Sequence, residues 1–441
     1  MLYENPQDLA RDVMPPSDRA LEALAEGRED RLEYWVGRMS VGPQFLFTGY
    51  LYWIVRLLTH IRAHHGERET RQALEESFRL LLAPAARLFR EGREKEALLF
   101  FLSLWRIRMG GVRDAAETDR DFRMLLAPCG LGGRIFLEGW YERDPSSFGR
   151  SGDGTPLFCE ACRVLRQTFN DLAGSKVLEI EPDPARLGVC RFRFEKRAAA
   201  GQRLFQKEEL EAAVLPSCAR ALARLRAGRL EGMEDLLRDH HRHWRPLHDF
   251  LNLWVTLLES SMLRRHGVEY VDQLVSGTYI PMWQSAYGLY GSLDDRTTLR
   301  LLAFTWHYHQ ATFRVEEEED RFKFVLDPCG SGGRLYRGEM GEGMPTYGNG
   351  LELVSTPHVC TFLRSDFPVY CTHCALSNLD QFQGKPKIFV VDGHAMAEPG
   401  APCVQYLYKK HASEKIPQAL LDQVACSKLI PLRKEYHPWD S

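Results

Sequence analysis

The sequence predicts an α+β protein of two tandem repeats, each an N-terminal helical layer followed by a small cysteine-containing α+β unit. Three observations predict it: helical periodicity early in each half, strand-like runs late in each half, and a match between the halves. "RALEALAEGR" at residues 19 to 28 answers "RALARLRAGR" at 220 to 229. The same offset carries Trp53 onto Trp254, the pair His65-Gly66 onto His266-Gly267, and Trp105 onto Trp306. "DRDFRMLLAPCGLGGRIF" then meets "EDRFKFVLDPCGSGGRLY", which sets Cys129 on Cys329 and Arg134 on Arg334. Further on "CEAC" answers "CTHC" after an insertion around residues 340 to 360, and Cys190 meets Cys403.

The first repeat spans residues 1–196, with its helical layer over about 19–110 and its α+β unit over about 120–196. Amphipathic spacing marks helices in "LYWIVRLLTHIRAHH", "TRQALEESFRLLLAPAARLF" and "EKEALLFFLSLWRI". A β-like run precedes the Pro-Cys-Gly loop, a helix follows the Cys-x-x-Cys, and strands "KVLEIEP" and "VCRFRFEK" close the unit. Residues 197–219 form a connector. The second repeat spans 220–410, with helices in "LHDFLNLWVTLLESSMLRR" and "RTTLRLLAFTWHYHQ" (helical layer about 220–312). Its α+β unit, about 320–410, closes with "KIFVVDG" and "CVQYLYKK", and residues 411–441 are a C-terminal tail.

With 44% hydrophobic residues in 441, the chain can bury more than one core. A net charge of −3, with arginines interleaved among glutamates, excludes a charge-driven nucleic-acid partner. The start shows no basic segment followed by an apolar run, so no secretory signal is expected. The longest apolar stretch, "FLFTGYLYWIVRLL", is broken by Arg56 and falls short of the roughly 20 residues of a membrane span. The expectation is a cytoplasmic protein with no membrane partner, free to form an oligomer. Eleven cysteines in a reducing compartment point to metal binding or thiol chemistry rather than disulfides.

The loop "PCGSGGR" lacks both the Gly-Lys-Ser/Thr of a nucleotide loop and the spacing of a dinucleotide turn. A tight turn explains its glycines, but not a cysteine and an arginine that recur in both repeats. Cys329 is therefore a candidate nucleophile or metal ligand, and Arg334 a candidate bidentate partner for a substrate carboxylate. His358, Cys360, Cys371 and Cys374 have the composition of a Cys₃His zinc site, with His373 as a substitute ligand. Iron or an iron-sulfur cluster is the alternative cofactor. Cys129, Cys159 and Cys162 are the secondary candidates in the first repeat.

Buried cysteines also serve as small hydrophobes, and Cys190 and Cys403, inside strands, are most open to that reading. Cys218 and Cys426 have no counterparts and are assigned to packing. On a helix His307 and His309 diverge by about 200°, so one of them at most faces a site. His309 is retained as a catalytic candidate, while Trp105 and Trp306 are assigned to the core. The second repeat, with its histidines, its added Cys360 and Asp327 where the first has Ala127, is the expected working copy.

The strand running into Pro-Cys at Cys129 and Cys329, the short cysteine stretches Cys159/Cys162 and Cys371/Cys374 before a helix, and the closing Cys190-Arg-Phe-Arg-Phe strand form a pattern. It resembles the 2-aminothiazoline-4-carboxylate hydrolase-like family, related to the vinyl-reductase-type small-ligand-binding domains. The resemblance implies an α+β fold with a cysteine-lined small-molecule pocket, in some members cleaving a carbon-nitrogen or carbon-sulfur bond. The chain departs from the pattern in its PCGxGGR loop, its tandem copies and its insertion. The resulting expectation is a zinc- or thiol-dependent hydrolase or lyase. Its substrate would be a small anionic or sulfur- or nitrogen-containing molecule, bound in the second repeat. The rival is a non-enzymatic metal or ligand sensor with structural cysteine sites.

Overall fold

The computed structural model describes residues 1–106, 111–130, 132–152, 154–183, 186, 188–197, 203–383, 389–395, 400–412 and 416–425. Cys426 and most of the expected tail lie outside the described residues. The chain is mixed α+β and mostly helical, and its described residues form two four-stranded antiparallel sheets and two short strand pairs. It divides into a first unit, Pro15–Leu258 with Met340–Pro345, and a second unit, Met1–Met14, Glu259–Glu339 and Thr346–Ser441. The division falls inside helix His240–Thr278, whereas the expected connector carries helices Lys207–Val214 and Ser217–Arg226. Among the described residues no helix is long and apolar enough to cross a membrane.

In the first unit the two expected helices around residues 50 to 89 are halves of one run, Glu29–Arg90, that turns at Gly66 (φ 81°, ψ 178°). Leu58, Phe78 and Leu81 are fully buried along its inner face, which is what the apolar spacing requires. The sheet has the order Gly111–Glu117, Asp121–Ala127, Cys190–Glu195, Leu178–Pro182. Alternate residues Phe122, Met124, Leu126, Phe192 and Phe194 point inward, following the two-residue period of a strand. They meet the helices through aromatic contacts, Phe89 on Phe194 at 5.8 Å and Trp105 on Phe192 at 4.5 Å. Trp105 stacks on Phe101 and belongs to this core. Helix Leu157–Ala173 carries both Cys159 and Cys162, and its Asn170 Oδ1 accepts the amides of Val177 and Leu178 to fasten the edge strand.

The second unit has a sheet of the same order: Phe313–Glu317, Arg321–Leu326, Cys403–Tyr408, Phe389–Asp392. Helix Thr372–Phe382 packs on it, and its Asn378 and Gln381 exchange hydrogen bonds with Val391 and Phe389. The strands Gly111–Glu117 and Phe313–Glu317 were not legible in the sequence. Each is a polar edge strand whose partner, rather than its own composition, supplies the reason to be extended. Gly267 repeats the Gly66 conformation at φ 81°, ψ −178°. That region of backbone space is open to glycine alone.

Replacing either Gly66 or Gly267 by alanine is expected to cost about 1–3 kcal/mol, read as a lowered urea midpoint. Nothing lies within 4 Å of a Cβ at Gly66, so the cost there comes from the backbone and serine should do as much damage.

Candidate functional site: two four-cysteine clusters

In both units a strand ends at a Pro-Cys-Gly loop that turns at once into a short helix, Gly132–Leu137 or Gly332–Tyr336. The turn is the same in each: the amide of Arg134 donates to Cys129 O and that of Arg334 to Cys329 O, both at 3.0 Å. The glycines of the loop have identifiable tasks. A Cβ on Gly332 would lie 2.6 Å from Cys371 Sγ, and one on Gly132 would lie 2.9 Å from Cys159 Sγ. Both distances are well inside van der Waals contact, so the loop seats on the first sulfur of the Cys-x-x-Cys only because no side chain intervenes. Gly330 is needed for a different approach, since its Cβ would collide with the backbone of His309 and Ala311.

The two closing strands bring in a fourth sulfur. Cys403 pairs across the sheet with Leu326, and its thiol hydrogen-bonds to Cys329; Cys190 pairs with Leu126 and hydrogen-bonds to Cys129. These two cysteines were the ones most open to a packing role, and the structure instead directs them at the loop cysteines. All ten described cysteines are free thiols. Among the described residues of each cluster, no three of the thiol and imidazole ligand atoms lie within 4.8 Å of one another, so the sulfurs do not form a closed tetrahedron.

Electrostatics separates Cys329 from its neighbours. The hydrogen bond from Cys403 is the largest influence on it; burial opposes, and the Gly333 amide and Ser331 help to hold the Cys329 thiol down to about 6. The partner goes the other way. Cys403 is pushed well above an ordinary thiol by that shared hydrogen bond and by burial. Burial also pushes up Cys371, reinforced by the charges of Cys374, Cys329 and Glu259, and Cys374, reinforced by Cys329. In the first unit Gly133 N donates to Cys129 Sγ at 3.3 Å, while burial lifts Cys159 to about 12. Cys190 is raised there by its bond to Cys129, by burial, and by the charges of Cys129, Cys162 and Cys159. Two groups of four thiols thus stand within electrostatic reach of one another.

Three expectations are corrected by this geometry. The zinc set splits: Cys371 and Cys374 stand within electrostatic reach of Cys329, whereas His358 Nδ1 contacts Cys360 Sγ at 3.1 Å and lies 3.9 Å from Asp272. His358 is spent on the cap of a short turn, where it accepts the Cys360 amide. Arg334, only 3% exposed, directs its guanidinium at the carbonyls of Glu339 (2.7 Å) and Gly330 (3.5 Å). It closes its own loop rather than holding a carboxylate. His309 gives its backbone to the seat of Gly330, while its ring packs beside Trp306 at 5.3 Å. His373 stays near the cluster, its Nε2 3.4 Å from Cys374 Sγ, but burial drives its imidazole down to about 4.

One residue escaped the sequence reading. Glu259, in helix His240–Thr278, is 0% exposed, and neither carboxyl oxygen has a hydrogen-bond partner. Burial raises its carboxyl well above the usual range, and its charge bears on Cys371 and Tyr347. The signal was a lone acid inside the apolar run "LWVTLLESSML". Comparison of the chain with protein-family models, with curated proteins and with solved structures finds no match in any of the three.

Gly332→Ala is expected to destabilise the second unit by roughly 1–3 kcal/mol. Because the obstacle is one sulfur atom, adding Cys371→Ala should recover part of that loss. A double-mutant cycle in urea should give a favourable coupling on the order of 1 kcal/mol, and strict additivity would contradict the packing described.

Proposed function

We propose that the chain is a tandem duplication whose second repeat is a thiol-dependent enzyme, with Cys329 as nucleophile. The observation that carries this reading is the position of Cys329, a buried sulfur at a helix start that accepts hydrogen bonds from Cys403 and Gly333 and is held ionised near neutrality. The duplication is supported by the identical strand order of the sheets, the matched bends at Gly66 and Gly267, and the loop glycine set against a sulfur in each unit. The chemistry that fits is cleavage of a carbon-nitrogen or carbon-sulfur bond in a small molecule. The Cys329 thiolate forms a carbon-sulfur bond as the substrate's own bond breaks, and the Cys403 thiol, hydrogen-bonded to Cys329, gives its proton to the departing atom. Water then hydrolyses the covalent intermediate and restores both thiols. A cytoplasmic setting would keep all these thiols reduced.

A second reading has its own support. Four cysteines converge where nucleophilic chemistry needs one, and four thiolates are a zinc ligand set, with iron as a less suited occupant. Cys329, Cys371, Cys374 and Cys403 would then draw together around an ion, and the protein would act as a metal enzyme or a non-enzymatic sensor.

Alkylation of the full chain by iodoacetamide, followed by peptide mass spectrometry, separates the two. For the thiol reading, Cys329 should react with a midpoint near pH 6, because ionisation is complete above it and lost as pH falls through it. Cys371 and Cys374 should stay inert until far higher pH. Replacing Cys403 by alanine should move the Cys329 midpoint upward. About one zinc per cluster with Cys329 unreactive at pH 7 would instead select the metal reading.

A further inference from the structure

The buried acid Glu259 has no use in the fold that its neighbours reveal. Both of its oxygens are sealed from solvent without a hydrogen-bond donor, although nearly all buried polar groups in proteins are paired. The cations nearest the cluster are committed elsewhere: Arg334 to the carbonyls of Gly330 and Glu339, and Arg364 to the carbonyl of Gly393 at 2.8 Å. A helix in this position does not need an acid. At the offset that aligns Trp53 with Trp254 and Gly66 with Gly267, the first repeat carries Leu58, which is equally buried. The leucine solves the packing problem at no electrostatic cost.

What accompanies Glu259 is also specific to the second repeat. Tyr347 comes from the insertion, its hydroxyl is buried, and its ring stands edge-on to Tyr336 at 5.7 Å. The same segment is tied to the helix next to the acid: Ser260 Oγ accepts from Glu352 N at 3.0 Å, and Arg264 pairs with Glu352 at 2.9 Å. Glu259 acts electrostatically on Tyr347 and on Cys371, and Cys371 also feels the charges of Cys329 and Cys374. A buried carboxyl with two unpartnered oxygens therefore stands within electrostatic reach of Cys371 in the second repeat, at the position where the first carries Leu58.

We propose that the second-repeat site takes a ligand with a cationic nitrogen group, an ammonium or amidinium, and that Glu259 is its carboxylate partner. The proposal rests on Cys329 being the working thiol. Two parallel N–H donors of an amidinium match the two unpartnered oxygens, and the Tyr347 hydroxyl, also buried without a partner, lies within electrostatic reach of the acid. The substrate class is thereby narrowed to carbon-nitrogen compounds whose nitrogen is protonated. The charge is opposite to the one an arginine-held carboxylate would require. The first repeat carries Leu58 in place of the acid.

The test uses the full chain with acetamidine hydrochloride as probe and sodium acetate as control, read by titration calorimetry and by protection of Cys329 and Cys371 from iodoacetamide. Acetamidinium should bind and slow alkylation, and acetate should do neither. Glu259→Gln and Glu259→Leu should weaken that binding about 10- to 100-fold, the span of a charged hydrogen-bonded contact. Glu259→Leu should also raise the melting temperature by several degrees, on the order of 5 °C, because it removes an uncompensated buried acid. That rise shows the variant folded, so lost binding cannot be ascribed to unfolding. Absence of acetamidinium binding, or equal binding by Glu259→Leu, overturns the proposal. If Cys329 alkylates with its midpoint near pH 6 while acetamidinium fails to bind, the cation site falls and the thiol reading stands. If acetamidinium binds through Glu259 while Cys329 is inert, the cation site stands and the thiol reading falls.

Discussion

The candidate site depends on one close approach, the backbone of Gly332 against the sulfur of Cys371, repeated by Gly132 and Cys159 in the first unit. A strand end and a helix can meet at that separation only where the loop carries no Cβ. Once they meet, the loop cysteine is set beside the neighbouring strand, where Cys403 or Cys190 completes the group. The loop arginines then differ: Arg334 turns back onto the carbonyls of Gly330 and Glu339, whereas Arg134 pairs with the Glu138 carboxylate. The "GG" of the loop is thus a packing device for sulfur. A phosphate cradle would have used the same residues for their amides.

Collecting four thiols in a buried place has an electrostatic consequence. Desolvation opposes every thiolate, and each thiolate opposes the next. The stable arrangement concentrates ionisation on the sulfur with the most hydrogen-bond donors. In the second unit that sulfur is Cys329, which has the Cys403 thiol, the Gly333 amide and Ser331, whereas Cys371 and Cys374 have burial and like charges. The hydrogen bond between Cys329 and Cys403 lowers the first thiol and raises the second. The same physics explains how a cluster of this composition can be poised for nucleophilic attack or, with an ion present, for coordination.

The two units are alike in strand order and loop geometry and unlike in what surrounds the sulfurs. Leu58 fills in the first unit the helix position that Glu259 fills in the second, and both are fully buried. A fully buried carboxyl without a partner is expensive to keep. Natural sequences retain such groups where function uses them, and the position sits beside the one cluster that also gained an insertion with Tyr347.

Sequence periodicity determined the α+β class, the helical runs on either side of Gly66, the strand before each Pro-Cys-Gly loop and the helix at each Cys-x-x-Cys, because each is written in local spacing. The correspondence of four cysteines between halves was legible for the same reason. The tertiary structure decided which side chains face one another, and there the local pattern is silent. The strand pattern put Cys190 and Cys403 inside strands but could not say that they meet Cys129 and Cys329. Proximity in sequence joined His358 and Cys360 to Cys371 and Cys374, yet the chain folds the first two onto a turn beside Asp272. Arg334 reads as a ligand-binding cation until its carbonyl partners are seen, and Glu259 reads as one polar residue on a helix until the space around it proves to be closed. Burial is a property of the assembled core, so the groups whose chemistry depends on burial became visible only there.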